Sequence, residues 1–271
     1  FSFSYKILVT TVVNVVSQNL LTFIFGRLYT ANAVGNFSQA FKWDTMASTM
    51  VSGTTSQVAQ PILVEVKAER ERQVLVFRKM LRFTAFLAFP AMFGLGMVAY
   101  EFIIVFIADK WVDSVPLLRI LCISGAFLPF YTLYQNLMIS RGKSDVYLWV
   151  TTSLIAVQLL LVLLCHSKGM VFMVSAYTVA MVLWLFVWQY FAHREISLRL
   201  WDVLLDIVPY MLVSAAIMVA VYMATSSIHN LIVLLLARIG LAVVAYLVVM
   251  KLLGSKMLDE CIGYLRRKKQ K

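Results

Sequence analysis

Eight long apolar runs, separated by short polar connections, fill almost the whole sequence, and Lys and Arg gather in every second connection. A helix that crosses hydrocarbon needs about 20 mostly apolar residues. The pattern therefore predicts an all-α polytopic membrane protein with eight transmembrane helices. Spans are expected near 7–28, 33–61, 80–107, 116–139, 146–165, 169–191, 207–225 and 230–252. Together they form a transmembrane domain over 1–253, followed by a basic cytoplasmic tail at 254–271. Seven of the spans are plainly apolar, whereas the second is polar.

The chain is 62% hydrophobic and 14% charged, against about a quarter charged in soluble domains. Its net charge of +11 is distributed by the positive-inside rule rather than as a nucleic-acid patch. Lys6 precedes the first span. Lys67, Arg70, Arg72, Arg78, Lys79 and Arg82 follow the second, Arg141 and Lys143 the fourth, and Arg194 and Arg199 the sixth. Lys251, Lys256 and a run at 266–269 follow the eighth. The odd-numbered connections hold only Arg27, then Lys110 and Arg119, then Lys168. Even-numbered connections and both ends of the chain are thus expected in the cytoplasm. The same parity requires 33–61 to cross despite its polarity. If it did not, the 67–82 cluster would share a side with Lys110 and Lys168.

The sequence opens at Phe1, and its first span begins without a charged n-region or cleavage site. An N-terminal lobe is therefore expected to precede it. Cys122, Cys165 and Cys261 are far apart and form no CxxC, so neither a disulfide framework nor a zinc site is expected.

On a helix, Ser38, Lys42, Thr45, Thr49, Ser52, Ser56 and Gln60 recur at intervals of three or four and share one face. Hydrocarbon offers such a face no partners. The first span carries a matching seam of Thr11, Asn14, Gln18 and Thr22. Two readings stand here: the wall of a water-accessible path, or hydroxyl and amide contacts between packed helices. Lys42 and Asp44 are charges within a span, which usually face a bundle interior. They lie about 200° apart around the helix, so each needs its own partner or water. Arg238 is a third intramembrane charge, about 13 Å past His229 at the helical rise. In the fourth span Tyr131, Tyr134, Gln135 and Asn136 make a local polar patch, and Pro90 and Pro129 are candidate kinks. Trp111, Trp149, Trp184, Trp188 and Trp201 lie toward span ends, as interfacial anchors do.

Catalytic signatures are not found. His166, His193 and His229 sit singly, and no HExxH occurs. The turn Ser140-Arg141-Gly142-Lys143-Ser144 mimics the tail of a phosphate-binding loop, but its first glycine would fall on Leu137. The chain is expected not to be an enzyme and to carry no cofactor or metal.

Several landmarks in order carry a family resemblance. Ala33-Val34-Gly35-Asn36-Phe37-Ser38-Gln39-Ala40 opens the second span, and Gln60-Pro61 precedes the charged connector. Phe89-Pro90, Gly94-Leu95, Ala108-Asp109-Lys110-Trp111, Arg141-Gly142-Lys143-Ser144-Asp145 and Ile207-Val208-Pro209 follow. This order resembles the second half of Wzx-type (WzxC-like) lipopolysaccharide and polysaccharide flippases of the MOP superfamily, which includes MATE transporters. Phe37 stands where that family usually has Tyr. The resemblance implies fourteen spans in two pseudo-symmetric lobes, of which these eight are the second lobe plus two extra helices. It also implies translocation of undecaprenyl-diphosphate-linked oligosaccharide across the inner membrane, through a cavity lined by polar and cationic residues.

The leading expectation is a flippase for lipopolysaccharide, O-antigen or exopolysaccharide biosynthesis. Its path would include Asn14, Gln18, Ser38, Lys42, Thr45, Thr49, Ser52, Ser56 and Gln135. Its partners would be a lipid-linked oligosaccharide and membrane lipids, with a glycan polymerase and chain-length machinery as further candidates and no nucleic acid. A MATE-like small-cation antiporter would need an acid in the cavity, and Asp44 alone qualifies. A membrane glycan polymerase or ligase would need a sizeable outer loop, and the loops here are short.

Overall fold

The computed structural model describes the backbone of residues 2–255 and 257–258, with side chains other than those of 2–4, 14–23 and 57–58. Nearly all of the 254–271 tail therefore lies outside the described residues. The described residues form helices and short turns. The helices are α1 (Ser2–Leu28), α2 (Ala31–Glu65), α3 (Arg70–Met97), α4 (Ala99–Phe106), α5 (Ser114–Gly125), α6 (Leu128–Ser140), α7 (Ser144–Cys165), α8 (Met170–Ile196), α9 (Leu200–Ala224) and α10 (Leu231–Leu252).

Six described segments are long and apolar enough to cross a membrane: Arg70–Met97, Ser114–Ser140, Ser144–Lys168, Met170–Ile196, Leu200–Ala224 and Leu231–Leu252. Helices α1 and α2 cover the first two expected spans but are not among these six. The most apolar segments also show the most lipid-type exterior. Only 22% of the α10 window is buried, and Leu236, Val244 and Leu252 stand well exposed. Water would penalise such a surface and lipid does not. The chain is a multi-pass membrane protein.

Two expected spans differ in detail. The third begins earlier, at Arg70, and breaks at Val98 into α3 and α4. Pro90 lies inside α3, and the helix continues through it. The fourth is interrupted at Ala126 and Phe127, between α5 and α6. Pro129 is the second residue of α6, where the missing N–H removes no helical bond, so it starts a helix rather than kinking one.

The core centres on α3, α5 and α6, where Phe77, Leu81, Phe89, Met92, Leu118, Leu121, Phe130 and Leu133 are fully buried. Helix α2 packs against α5 and α6, α3 against α9, α7 against α1 and α8, and α10 against α9 and α4. Close approach of α2 to α5 depends on Gly125. A methyl group there would collide with the Asp44 carboxylate and the Met92 side chain.

The charged connections meet at one end of the bundle. Arg141 donates to the Lys67 carbonyl at 3.0 Å, and Lys143 pairs with Glu195 at 3.1 Å. Arg78 and Arg82 converge on buried Asp206 at 2.6 and 3.1 Å, and Arg78 also reaches Asp202 at 3.2 Å. The turn that mimics a phosphate loop closes this end. Gly142 takes φ +78°, and the Lys143 and Gly142 N–H groups return to the Met138 and Ile139 carbonyls. Helix α2 runs the length of the bundle, about 52 Å at the helical rise. Its first turn is capped by Thr30 and lies beside Trp111 at Gly35. Its last turn lies at the basic end, where the following Lys67 meets Arg141.

Candidate functional site: a polar cavity along α2

A cavity of about 570 Å³ opens between α2, α6, α7 and α8. Six of the expected path residues line it: Ser38, Lys42, Thr45, Thr49, Ser52 and Gln135. Ser56 continues the same face one turn beyond the lining. The side chains of Asn14 and Gln18 lie outside the described residues.

From Ser48 to Ser56 the hydroxyls of α2 are satisfied by their own helix. Thr49 donates to the Thr45 carbonyl at 2.7 Å, Ser52 to Ser48 at 2.8 Å and Ser56 to Ser52 at 2.6 Å. This is how Ser and Thr sit in an apolar helix without a neighbour's help. It differs from the interhelical contacts weighed above and has a chemical consequence. Each oxygen has spent its proton and turns acceptor lone pairs outward. Along Thr49 and Ser52 the cavity wall is therefore an acceptor surface, suited to a ligand rich in hydroxyl donors.

Lys42 is exposed within this wall. Its ammonium lies 5.5 Å from the Trp43 ring, and no acid pairs with it among the described residues. Asp44 lines the same cavity but is only 2% exposed, turned toward the α5–α6 break at Gly125. Among the described residues its Oδ1 is buried without a hydrogen-bond partner, as is the neighbouring Trp43 Nε1. The two charges thus occupy different surroundings, as their angular separation requires.

Arg238 is elsewhere. It is 4% exposed, pairs with Glu101 at 2.6 Å, donates to Thr225 Oγ1 at 3.1 Å and stacks 4.3 Å from the Tyr222 ring. Sequence reasoning missed Glu101, although an acid within an expected span was a readable signal. The Tyr131 patch divides. Tyr134 donates to Gln189 at 2.7 Å and Tyr131 to the Met181 carbonyl, Asn136 is buried, and Gln135 faces the cavity. Sequence reasoning also missed Ser48, Ser124, Thr132, Thr151, Gln158 and Tyr177, which add polar groups to the lining. Outside α2 none continues a long polar stripe: Thr151 opens a short Thr-Thr-Ser run, and Gln158 lies between Val157 and Leu159.

Known proteins show the same outline. Residues 1–116 match the family described as polysaccharide biosynthesis protein. Three curated relatives align over about half of this chain. They are an uncharacterized membrane protein in the cps region of Klebsiella pneumoniae (27% identical over 143 residues), the teichuronic acid biosynthesis protein TuaB of Bacillus subtilis strain 168 (28% over 145) and the lipopolysaccharide biosynthesis protein WzxC of Escherichia coli strain K12 (22% over 136). These alignments cover 53%, 54% and 50% of this chain but only 30%, 30% and 28% of the relatives' own lengths. Among solved structures, the lipid II flippase MurJ in an inward closed conformation superposes with a TM-score of 0.71 at 16% identity. That superposition covers 90% of this chain and 51% of MurJ. The chain thus matches a polysaccharide biosynthesis family over its first 116 residues, and it shares its fold with the solved lipid II flippase.

Proposed function

We propose that the chain is part of a flippase that moves an undecaprenyl-diphosphate-linked oligosaccharide across the inner membrane for lipopolysaccharide, O-antigen or exopolysaccharide biosynthesis. The carrying observation is Lys42, a cation without an acid partner among the described residues, set in a cavity wall where the Thr49 and Ser52 oxygens face outward as acceptors. An ammonium facing the cavity attracts a diphosphate or an acidic sugar. Acceptor lone pairs meet glycan hydroxyls through many weak contacts, which hold cargo without trapping it. In this reading the basic end of the bundle faces the cytoplasm, following the positive-inside rule, and α2 crosses the bilayer. The cavity is completed by the rest of the longer protein, and glycan polymerase and chain-length machinery are its downstream partners.

The test replaces Lys42 with Ala and with Glu in the full-length protein and measures surface glycan at matched expression. Export is expected to fall at least several-fold in Lys42→Ala and further in Lys42→Glu, where the charge is reversed. Undiminished export in both variants removes Lys42 from the mechanism.

One observation favours a second reading, a MATE-like small-cation antiporter. The Asp44 carboxylate borders the same cavity with a buried oxygen that no group among the described residues satisfies, and a cation would satisfy it. Ion-driven efflux of a cationic dye by the full-length protein, abolished by Asp44→Asn, would establish this reading over glycan export. Absence of any such efflux would eliminate it.

A further inference from the structure

A second concavity lies away from the cavity along α2, between α3, α5 and α9, with a volume of about 430 Å³. This is within the size range of small-molecule sites. Small residues, Gly96 on α3 and Ala215 on α9, open it. At Gly96 an added methyl would meet the Cys122 side chain at 3.4 Å. Apart from Tyr222 its other walls are apolar, with Met97 and Met218 as flexible, polarisable sides. One charge borders it: Arg119 on α5.

Arg119 differs from the other arginines described in the packed bundle. Arg78, Arg82 and Arg238 each hold a carboxylate. Arg119 is exposed and has no acid within ion-pair distance among the described residues. It lies five residues past the start of α5, about 7–8 Å along the axis. That places it just inside the bundle end marked by Trp111 and Lys110, at the depth where a headgroup phosphate meets hydrocarbon. A guanidinium at that level offers a planar fork that matches a phosphate, and the groove below it matches a chain of methylenes.

We propose that this groove is a binding site for one glycerophospholipid, its phosphate on Arg119 and an acyl chain between Met97 and Met218. The argument is charge complementarity at the rim joined to an apolar slot beneath it. It does not depend on the identity of the transported cargo.

The experiment is native mass spectrometry of the full-length protein, delipidated in detergent and titrated with phosphatidylglycerol, with and without inorganic phosphate. The wild type is expected to retain one phospholipid per chain at a lipid concentration where Arg119→Gln retains several-fold less. Ala215→Leu, which fills the slot and leaves the guanidinium, is expected to show a similar loss. Inorganic phosphate alone is expected not to displace the lipid. Equal retention by wild type and Arg119→Gln overturns the proposal. So does loss in Arg119→Gln with full retention in Ala215→Leu, which would leave a phosphate contact without a lipid slot. Displacement by inorganic phosphate overturns it as well. Because Arg119 is exposed, its variant is expected to fold, and an unchanged elution volume checks that.

Discussion

Lys42 and Arg238 are both cations set within a helical bundle, and the bundle treats them in opposite ways. Arg238 is enclosed by Glu101, Thr225 and Tyr222. Among the described residues Lys42 meets only a neighbouring ring, and it faces a cavity. A charge answered from within the fold ties helices together, here α4 and α10. A charge left without an internal answer is available to something that comes and goes. The two cations differ in both partner and burial, and the contrast can be broken by measuring stability and transport on the same variants.

The largest stability effect is expected at the enclosed pair. Truncating one partner strands the other charge in a low-dielectric site, at about 3–5 kcal/mol. Glu101→Ala or Arg238→Ala in the full-length protein should therefore lower the thermal midpoint in detergent markedly and reduce expression. The double variant Glu101→Gln with Arg238→Gln should recover much of the loss, because no bare charge remains. If the single variants unfold like wild type, the pair is incidental and the contrast with Lys42 collapses.

Asp206 tests an intermediate case. It is buried, but Arg78 and Arg82 are partly exposed and reach solvent when it is removed. Asp206→Ala should cost about 1.5–3 kcal/mol, the range for hydrogen bonds to charged groups, and so less than Arg238→Ala. A loss equal to that of Arg238→Ala would mean that partner exposure does not govern these energies.

How much of this was legible beforehand follows from the kind of signal each part emits. The apolar runs and charge alternation are long-range repeats, and they located the helices and the basic end where Arg141 meets Lys67. The seam on α2 was readable because Ser38, Lys42, Thr45, Thr49 and Ser52 repeat at helical spacing, and these residues line one cavity. The far wall was not readable. Gln158 is a single polar residue among Val and Leu, and Thr151 opens a short Thr-Thr-Ser run with no helical repeat, so only packing shows that both turn inward. The break at Ala126 and Phe127 was hidden because neither residue is a helix breaker. The proline that drew attention, Pro129, lies just past it. Arg238 was visible as a charge, but its partner Glu101 is 137 positions away, and no local pattern joins the two.

Lys42→Ala should sharpen the comparison from the other side. With no internal partner to strand, its stability change should stay within about 0.5 kcal/mol, as at ordinary exposed positions, while surface glycan falls. A thermal midpoint lowered as far as in Arg238→Ala would show that Lys42 is structural after all.

The smallest effects are expected along the hydroxyl seam. In Thr49→Val or Ser52→Ala, the carbonyl that loses the hydroxyl still receives its helical N–H, and the removed oxygen leaves no buried donor behind. Each variant should therefore change the thermal midpoint by less than can be resolved, on the order of 0.5 kcal/mol or below. If the seam only fills space, export should be equally indifferent. If its lone pairs meet cargo, each loss should lower export slightly and the losses should compound, so that Thr45→Val, Thr49→Val and Ser52→Ala together fall well below any one. A triple variant that exports like wild type would leave Lys42 as a lone charge in a passive wall, and the acceptor surface would have no part in carrying glycan.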